Sequence, residues 1–166
     1  MWKDLRLPGD ITGANATNLG RQLGRKARHI YSHNGSINPV AVARDLGFEV
    51  RESQLPKEVV GSVYRNTQFG RVILLASNLK EGEKRFACSQ LIGHYLHMRR
   101  GGVDEWLQHR DPESVQRESY SQEIFAIEFA RNLLVPKIYH QITRYSETVR
   151  DFVANRYSVP REVLAA

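Results

Sequence analysis

The stretch from Arg85 to Met98 constrains the fold most, because it predicts one helix buried in the middle of a domain. It contains no proline, and its single glycine, Gly93, lies well inside. Apolar side chains fall on every side of a helical wheel, which is typical of a helix surrounded by other elements. Gln90, His94 and His97 interrupt this apolar surface at spacings that place them on one face. This face is the first candidate for a functional site.

Composition predicts a globular, cytoplasmic protein. The chain has 166 residues, of which 41% are hydrophobic and 25% charged, and no apolar run reaches the length of a membrane span. The N-terminus, with Asp4 and Pro8, lacks the apolar segment of a signal peptide. Cys88 is the one cysteine, so no intrachain disulfide can form, as in a reducing compartment. We expect Cys88 to pack in the core rather than act as a nucleophile.

The net charge is +6 and the pI is about 9.7, which permits a nucleic-acid or an acidic partner. The arginines are scattered along the chain rather than grouped in one block. This distribution favours a solvated basic surface over a dedicated nucleic-acid site.

Before the buried helix, the pattern predicts an arm, two helices and three strands. Residues 1–18 are polar and broken by Pro8 and glycines, and Trp2 is a candidate docking residue. A helix is expected from about Asn15–Asn18, capped by Thr17 or Asn18, and a short one over Pro39–Leu46. The first helix directs basic side chains outward, namely Arg21, Arg25 and Arg28. The strand patterns cover Phe48–Arg51, Val60–Arg65 and Arg71–Leu75.

After the buried helix, residues 99–119 are polar and predict a long loop that contains Trp106. That tryptophan either anchors a partner or covers the core. A second strong helix is expected over Glu118–Leu134. The tail then divides into two helical pieces, one over 146–154 and one starting at Ser158.

The buried helix resembles the zinc helix of the ImmA/IrrE family of metallopeptidase-like proteins. That family reads Arg-Phe-x-x-x-His-Glu-x-Gly-His-Tyr-Leu, which contains the HExxH pattern of zincins. The first zinc histidine falls on Gln90 and the catalytic glutamate on Leu91, whereas the second histidine is His94. A later helix resembles the family's Glu-x-x-Ala-Asn-x-Phe-Ala segment, and Glu123 matches its third zinc ligand. Further matches in the buried helix are Arg85, Phe86, Gly93, Tyr95 and Leu96.

The resemblance implies an α+β fold with a zincin-like helical core, a small and mainly antiparallel sheet, and a C-terminal tail similar to a helix-turn-helix. With the polar arm at 1–18 predicted from composition, we expect a zincin-like domain at 19–136 and a helical tail at 137–166.

The degenerate HExxH motif removes the expected chemistry. In that motif two imidazoles hold Zn²⁺ and the glutamate deprotonates the metal-bound water. The Gln90 amide is a weak zinc ligand and Leu91 cannot transfer a proton. We therefore predict neither catalytic residues nor a cofactor. Two readings of the remnant stay open: His94, Glu123 and one of Gln90 or His97 hold a metal, or His94 is an interior histidine hydrogen-bonded to Glu123.

These observations predict a pseudo-peptidase, a regulator that binds a protein partner such as a helix-turn-helix repressor in phage, mobile-element or stress regulation. One alternative is a divergent metal-dependent endopeptidase that uses Gln90, His94 and Glu123. The other is a DNA-binding regulator that uses the tail arginines Arg144, Arg150, Arg156 and Arg161. No other nucleophile has a recognisable frame, and we expect His29, His33, His109 and His140 to be surface or cap residues.

Overall fold

The computed structural model describes residues 5–68, 70–111, 119–142, 144 and 146–164. Trp2 lies outside this part of the chain. The helices, in chain order, are α1 (Ala16–Tyr31), α2 (Pro39–Asp45), α3 (Glu81–Gly101), α4 (Tyr120–Leu134), α5 (Tyr139–Ile142) and α6 (Glu147–Tyr157), followed by a 3₁₀ turn (Arg161–Leu164). The strands are β1 (Phe48–Ser53), β2 (Val59–Asn66), β3 (Gly70–Ala76) and β4 (Glu105–His109). The predicted α+β class is confirmed.

Helix α3 is the central element, as its apolar wheel predicts. Every residue from Phe86 to Met98 is buried. The helix packs on β2 and on α4, so both sides of its surface are covered. It ends at Gly102, whose φ of 70° is a left-handed helix terminus that glycine adopts without strain.

The sheet is mixed and mainly antiparallel, in the order β1-β3-β2-β4. Strand β3 pairs in parallel with β1, and β2 pairs antiparallel with both β3 and β4. The predicted strand over Arg71–Leu75 is internal, as expected from its apolar sequence. Strand β4 was not predicted, because Glu105–His109 shows no apolar alternation and lies in the stretch that we expect to be a loop.

Helix α1 begins at Ala16 with Asn15 at the N-cap position, so the prediction of Thr17 or Asn18 as the cap is wrong. The Asn15 Oδ1 atom accepts a hydrogen bond from the backbone N–H of Thr12 at 2.7 Å, and this bond fixes the turn before the helix. The prediction for α2 holds: the Asn38 Oδ1 atom caps it by accepting from the backbone N–H of Ala41.

The arginines of α1 do not simply face solvent. Arg21 contacts Glu128 at 3.3 Å, and Arg25 donates to Asn132 at 3.1 Å. Arg28 donates to the backbone oxygens of Leu133 and Leu134 at the end of α4, each at 3.0 Å. The predicted outward face is therefore a polar seam that ties α1 to α4.

The tail contains the four-residue α5 and the longer α6, but the helical piece predicted to start at Ser158 is not a regular α-helix. Ser146 caps α6 by accepting from the backbone N–H of Val149 at 3.2 Å. The second piece is the single 3₁₀ turn Arg161–Leu164, and Val159 and Leu164 are buried in the core. At the other end of the chain, Leu5 and Leu7 are also buried. No helix in the described ranges is both long and apolar enough to cross a membrane.

Candidate functional site

A cleft of about 750 Å³ opens between α3, α4, the end of β4 and the tail. Gln90 from α3, Gln108 from β4 and Glu123 from α4 contribute to its polar lining. Charged side chains such as Lys80 and Arg131 line it as well. Apolar side chains form much of its walls, among them Val60, Leu79, Phe86, Ile127 and Val159. The cleft therefore lies over the position where the degenerate motif and the second helix meet.

Beneath the cleft, four buried side chains form a continuous hydrogen-bonded network. His97 Nε2 lies 2.8 Å from His94 Nδ1, and His94 Nε2 lies 2.9 Å from Gln108 Oε1. The Gln108 amide then donates to Glu123 Oε1 at 2.6 Å. All four residues are at most 9% exposed. The network thus joins α3, β4 and α4.

The partners of each atom define where the protons lie. His94 Nε2 faces two acceptors, the Gln108 oxygen and Glu123 Oε2, the latter at 3.3 Å, so this nitrogen carries a proton. When the ring is neutral, its Nδ1 atom accepts from the Nε2–H group of His97. Each donor then points along one direction, from His97 to the carboxylate, an alignment in which successive hydrogen bonds strengthen one another.

The electrostatics fit an ionised Glu123 and a neutral His97. Burial disfavours the charged form of Glu123, but the interactions with His94 and Gln108 and the electrostatic effect of His109 outweigh it and lower the pKa of the carboxyl group. Burial, together with the neighbouring His94, lowers the pKa of His97 to about 3. Near neutral pH the network therefore carries a carboxylate at one end and an uncharged imidazole at the other.

Trp106 covers the two histidines, which supports the covering role over that of a partner anchor. Its ring stacks on His94 with centroids 4.5 Å apart and meets His97 edge to face at 4.7 Å. The tryptophan comes from β4, two residues before Gln108, so both side chains lie on the same face of the strand.

The structure brings together only part of the predicted metal set. His94 and Glu123 are adjacent, but His97 contacts the opposite ring nitrogen of His94 and cannot join the same ion from there. Gln90 lines the cleft. Leu91 is fully buried and packs against Gly61 of β2. A side chain at position 61 would have its Cβ atom only 2.8 Å from Leu91 Cδ1. The position of the family's glutamate therefore faces the sheet.

A zinc ion does not fit these residues well. Zinc requires an unprotonated imidazole nitrogen, whereas the geometry places a proton on His94 Nε2. The Gln108 amide lies against both potential ligands and directs an N–H group toward the carboxylate. Within the described ranges, no group of three or more His, Cys, Asp or Glu side chains is arranged to hold a metal ion. We therefore assign no chemistry through a metal.

Sequence reasoning missed Gln108 and misplaced His109. Both follow Trp106 in β4, and no motif distinguishes the glutamine from any other polar residue in a loop. His109 lies at the cleft rather than on a free surface, and its buried Nδ1 atom has no hydrogen-bond partner among the described residues. Glu123 Oε2 likewise accepts no hydrogen bond of good geometry, although His94 is near.

The tail forms one wall of the cleft and is held by two arginines. Arg85 on α3 donates to the backbone oxygens of Tyr157 and Ser158, and also to that of Ile37 at 2.9 Å. Arg131 on α4 donates to the backbone oxygen of Val163 at 2.5 Å. The wall is therefore tied to both helices that carry the network.

Three further side chains, Cys88, Ser89 and Arg161, have contacts typical of structural roles. Cys88 is fully buried, and burial raises the pKa of its thiol to about 12, so a thiolate is disfavoured. The Ser89 hydroxyl donates to the backbone oxygen of Arg85 within α3. Arg161, one of the tail arginines, pairs with Asp151 at 2.5 Å and with Glu147 at 3.6 Å.

Comparisons with known proteins agree with this architecture. The family model described as the IrrE N-terminal-like domain, a peptidase M78 model, matches residues 43–166. A solved transcriptional regulator from Mycobacterium tuberculosis is similar over 90% of the chain, with a TM-score of 0.52 and 17% identity. The chain spans 45% of the length of that regulator, and at this identity the likeness shows the fold alone. No curated protein matches the sequence.

Proposed function

Since this chain belongs to the IrrE N-terminal-like family of M78 peptidases, we propose that it is a regulator that holds a protein partner in its cleft without cutting it. The partner we favour is a helix-turn-helix repressor, in phage, mobile-element or stress regulation. The site of action is the cytoplasm, in keeping with the single, buried and unpaired Cys88.

One observation supports this proposal above the others: a cleft lies over the degenerate motif, and the first histidine and the glutamate of HExxH are replaced by Gln90 and Leu91. An amide, Gln108, spans His94 and Glu123, and an aliphatic side chain, Leu91, stands where the family has its glutamate. A hydrolase of this type needs a metal and a general base at the scissile bond. Binding of a partner protein, in contrast, requires only that the side chains lining the cleft fit the partner.

The walls suit an extended segment of the partner. Strand β4 is at the edge of the described sheet, because only β2 pairs with it there. An extended peptide can add to such an edge through backbone hydrogen bonds, while side-chain pockets supply specificity. Apolar residues from α3, α4 and the tail, including Phe86, Ile127 and Val159, supply such pockets beside the end of β4.

Substitution of one wall residue tests the proposal. Ile127 on α4 lines the cleft, so Ile127→Arg places a long charged side chain in the path of a bound segment. The matched control is Ile138→Arg, because Ile138 is 73% exposed and lies outside the cleft. With the repressor encoded nearest to the gene as co-expressed partner, we expect a complex that contains the intact repressor. Ile127→Arg should weaken it by at least about tenfold, which is 1.4 kcal/mol.

The same experiment separates the alternatives. Mass spectrometry of the repressor reports whether it is intact, and cleavage that stops on addition of a chelator would establish the endopeptidase instead. A complex that both substitutions leave unchanged would place the binding surface elsewhere. Retardation of duplex DNA that weakens steeply with salt would favour the DNA-binding alternative.

A further inference from the structure

The buried pair of His94 and Glu123 requires a compensating polar group, because both side chains are removed from water. Glu123 is 3% exposed and His94 is fully buried, and a buried carboxylate without compensation is strongly destabilising. In a zincin, the ion supplies that compensation. Here the nearest polar group that contacts both side chains is the Gln108 amide.

We infer that the Gln108 side chain replaces the ion: its amide bridges His94 and Glu123 and keeps divalent cations out of the site. The two ends of the amide are oriented for this role. The N–H end points at the Glu123 carboxylate at 2.6 Å, and the oxygen accepts from His94 Nε2 at 2.9 Å. The reverse orientation would place two oxygens against each other, so the partners fix it.

Entry of an ion would require the network to be undone. A zinc ion bound to His94 lies about 2 Å from the nitrogen, inside the space between that atom and the Gln108 oxygen. The Nε2 proton would have to leave, and both hydrogen bonds of the amide would break. The proton on the His94 ring would then move to Nδ1, so His97 would have to change from donor to acceptor.

This inference is independent of the proposed binding function. It concerns the floor of the cleft. It predicts that Gln108, which lies outside the HExxH motif, prevents zinc binding in addition to the changes at Gln90 and Leu91. Restoring the missing zinc histidine at position 90 is therefore insufficient, because the amide still lies against both remaining ligands.

Zinc binding of two variants tests the inference directly. Gln90→His and the double variant Gln90→His/Gln108→Ala carry the same new imidazole and differ only in the bridging amide. After incubation with zinc and removal of the excess, we expect one zinc per chain in the double variant and none in the single variant. A competition titration should give the double variant an affinity higher by about 10- to 100-fold.

Wild-type protein and Gln22→His serve as controls for surface binding. Gln22 is an exposed glutamine on α1, so its substitution adds an imidazole away from the network. Neither control should retain zinc. The inference is overturned if wild-type protein retains one zinc per chain, or if Gln90→His binds zinc as tightly as the double variant.

A second variant keeps the test decisive if the double variant does not fold. Gln108→Glu replaces the neutral amide with a third strong ligand beside His94 and Glu123, so the site should then require a cation. Its thermal transition should rise by several degrees from EDTA to zinc, whereas the wild-type transition should be the same in both. Equal transitions for Gln108→Glu in the two conditions would contradict the inference.

Discussion

At the scale of single residues, the site is a chain of buried polar side chains linked by hydrogen bonds, in which the Oε2 atom of Glu123 has, among the described residues, only the neighbouring His94 ring at 3.3 Å. Three hydrogen bonds join His97 to His94, His94 to Gln108, and Gln108 to Glu123. Truncation of any member leaves a buried donor or acceptor unpaired, which costs about 1–3 kcal/mol. The network is consequently part of the stability of the core as well as the remnant of a site.

His97 gives this network a specific pH dependence. Its pKa in the folded protein is about 3, against an ordinary value of 6.5. Because the folded-state pKa is depressed, the unfolded chain takes up the proton first, so stability is complete above 6.5 and falls as the pH drops toward 3. Between pH 7 and pH 5 we expect this histidine to lower the free energy of unfolding by about 2 kcal/mol.

Urea unfolding at the two pH values measures the effect. His97→Gln should remove this part of the pH dependence, although it also lowers stability at pH 7. His29→Gln is the matched control, since His29 is exposed on α1, and it should retain the wild-type dependence. If the free energy of unfolding of His97→Gln changes with pH as much as that of the wild type, His97 is accessible to protons in the folded protein.

At the scale of elements, α1 packs closely on α4 at two glycines, Gly20 and Gly24. A Cβ added at Gly24 would lie 2.5 Å from the Phe129 backbone oxygen and 2.8 Å from Asn132 Cβ. A Cβ added at Gly20 would meet the Phe125 backbone oxygen at 2.6 Å. These approaches bring the arginines of α1 within reach of α4, the helix that carries Glu123.

Gly24→Ala tests this close approach. The substitution improves helix propensity by about 1 kcal/mol, but the added methyl group meets backbone atoms that cannot turn aside. We expect the free energy of unfolding to fall by about 2 kcal/mol in a denaturant titration. Gly101→Ala is the control, because a Cβ there meets only a side-chain atom at 3.9 Å. It should change stability by less than about 0.5 kcal/mol.

If both variants lose a similar amount of unfolding free energy, the packing of α1 on α4 is not the cause. If Gly24→Ala is as stable as the wild type, α1 and α4 can separate enough to admit a methyl group without cost.

At the scale of the whole molecule, both ends of the described chain pack on the central core. Leu5 and Leu7 are buried, and Arg99 of α3 donates to the backbone oxygen of Leu5 at 2.7 Å. The tail covers the cleft from the other side, with Val159 and Leu164 buried. The family model also extends through the tail, to residue 166. The boundaries of the arm at 18 and the tail at 136 remain predictions.

Arg85 is the residue that connects this assembly most directly to the cleft wall. Its guanidinium reaches backbone oxygens in two separate segments, at Ile37 and at Tyr157–Ser158. Arg85→Gln leaves these oxygens without their cation, and hydrogen bonds to a charged donor contribute about 1.5–3 kcal/mol. We expect faster amide hydrogen exchange over residues 158–164 and a lower transition temperature.

Arg51→Gln is the control for loss of an arginine. Arg51 pairs with Glu49 on the surface, where the two side chains are 61% and 55% exposed, so its loss should leave exchange in the tail unchanged. If Arg85→Gln exchanges like the wild type over 158–164, the tail is held by Arg131 and its apolar contacts instead.

The sequence by itself determined the elements whose residues have a strong local pattern. The apolar wheel of Arg85–Met98 predicted the buried helix, and the apolar strand over Arg71–Leu75 predicted an internal position in the sheet. The spacing of His94 in that helix and the match at Glu123 predicted which two side chains would meet. The helix and the strand were predicted because a local period decides which face of an element is buried. Glu123, in contrast, was identified through the resemblance to the ImmA/IrrE family.

Only the tertiary structure decided what lies between those two side chains. Gln108 is 14 residues from His94 and 15 from Glu123, in a strand without apolar alternation. Its role arises because β4 pairs with β2 and places one amide against both α3 and α4. No local period encodes such a contact, since hydrogen bonds between distant residues depend on how the elements pack. That packing places Gln108, which the sequence assigns to a loop, at the centre of the network.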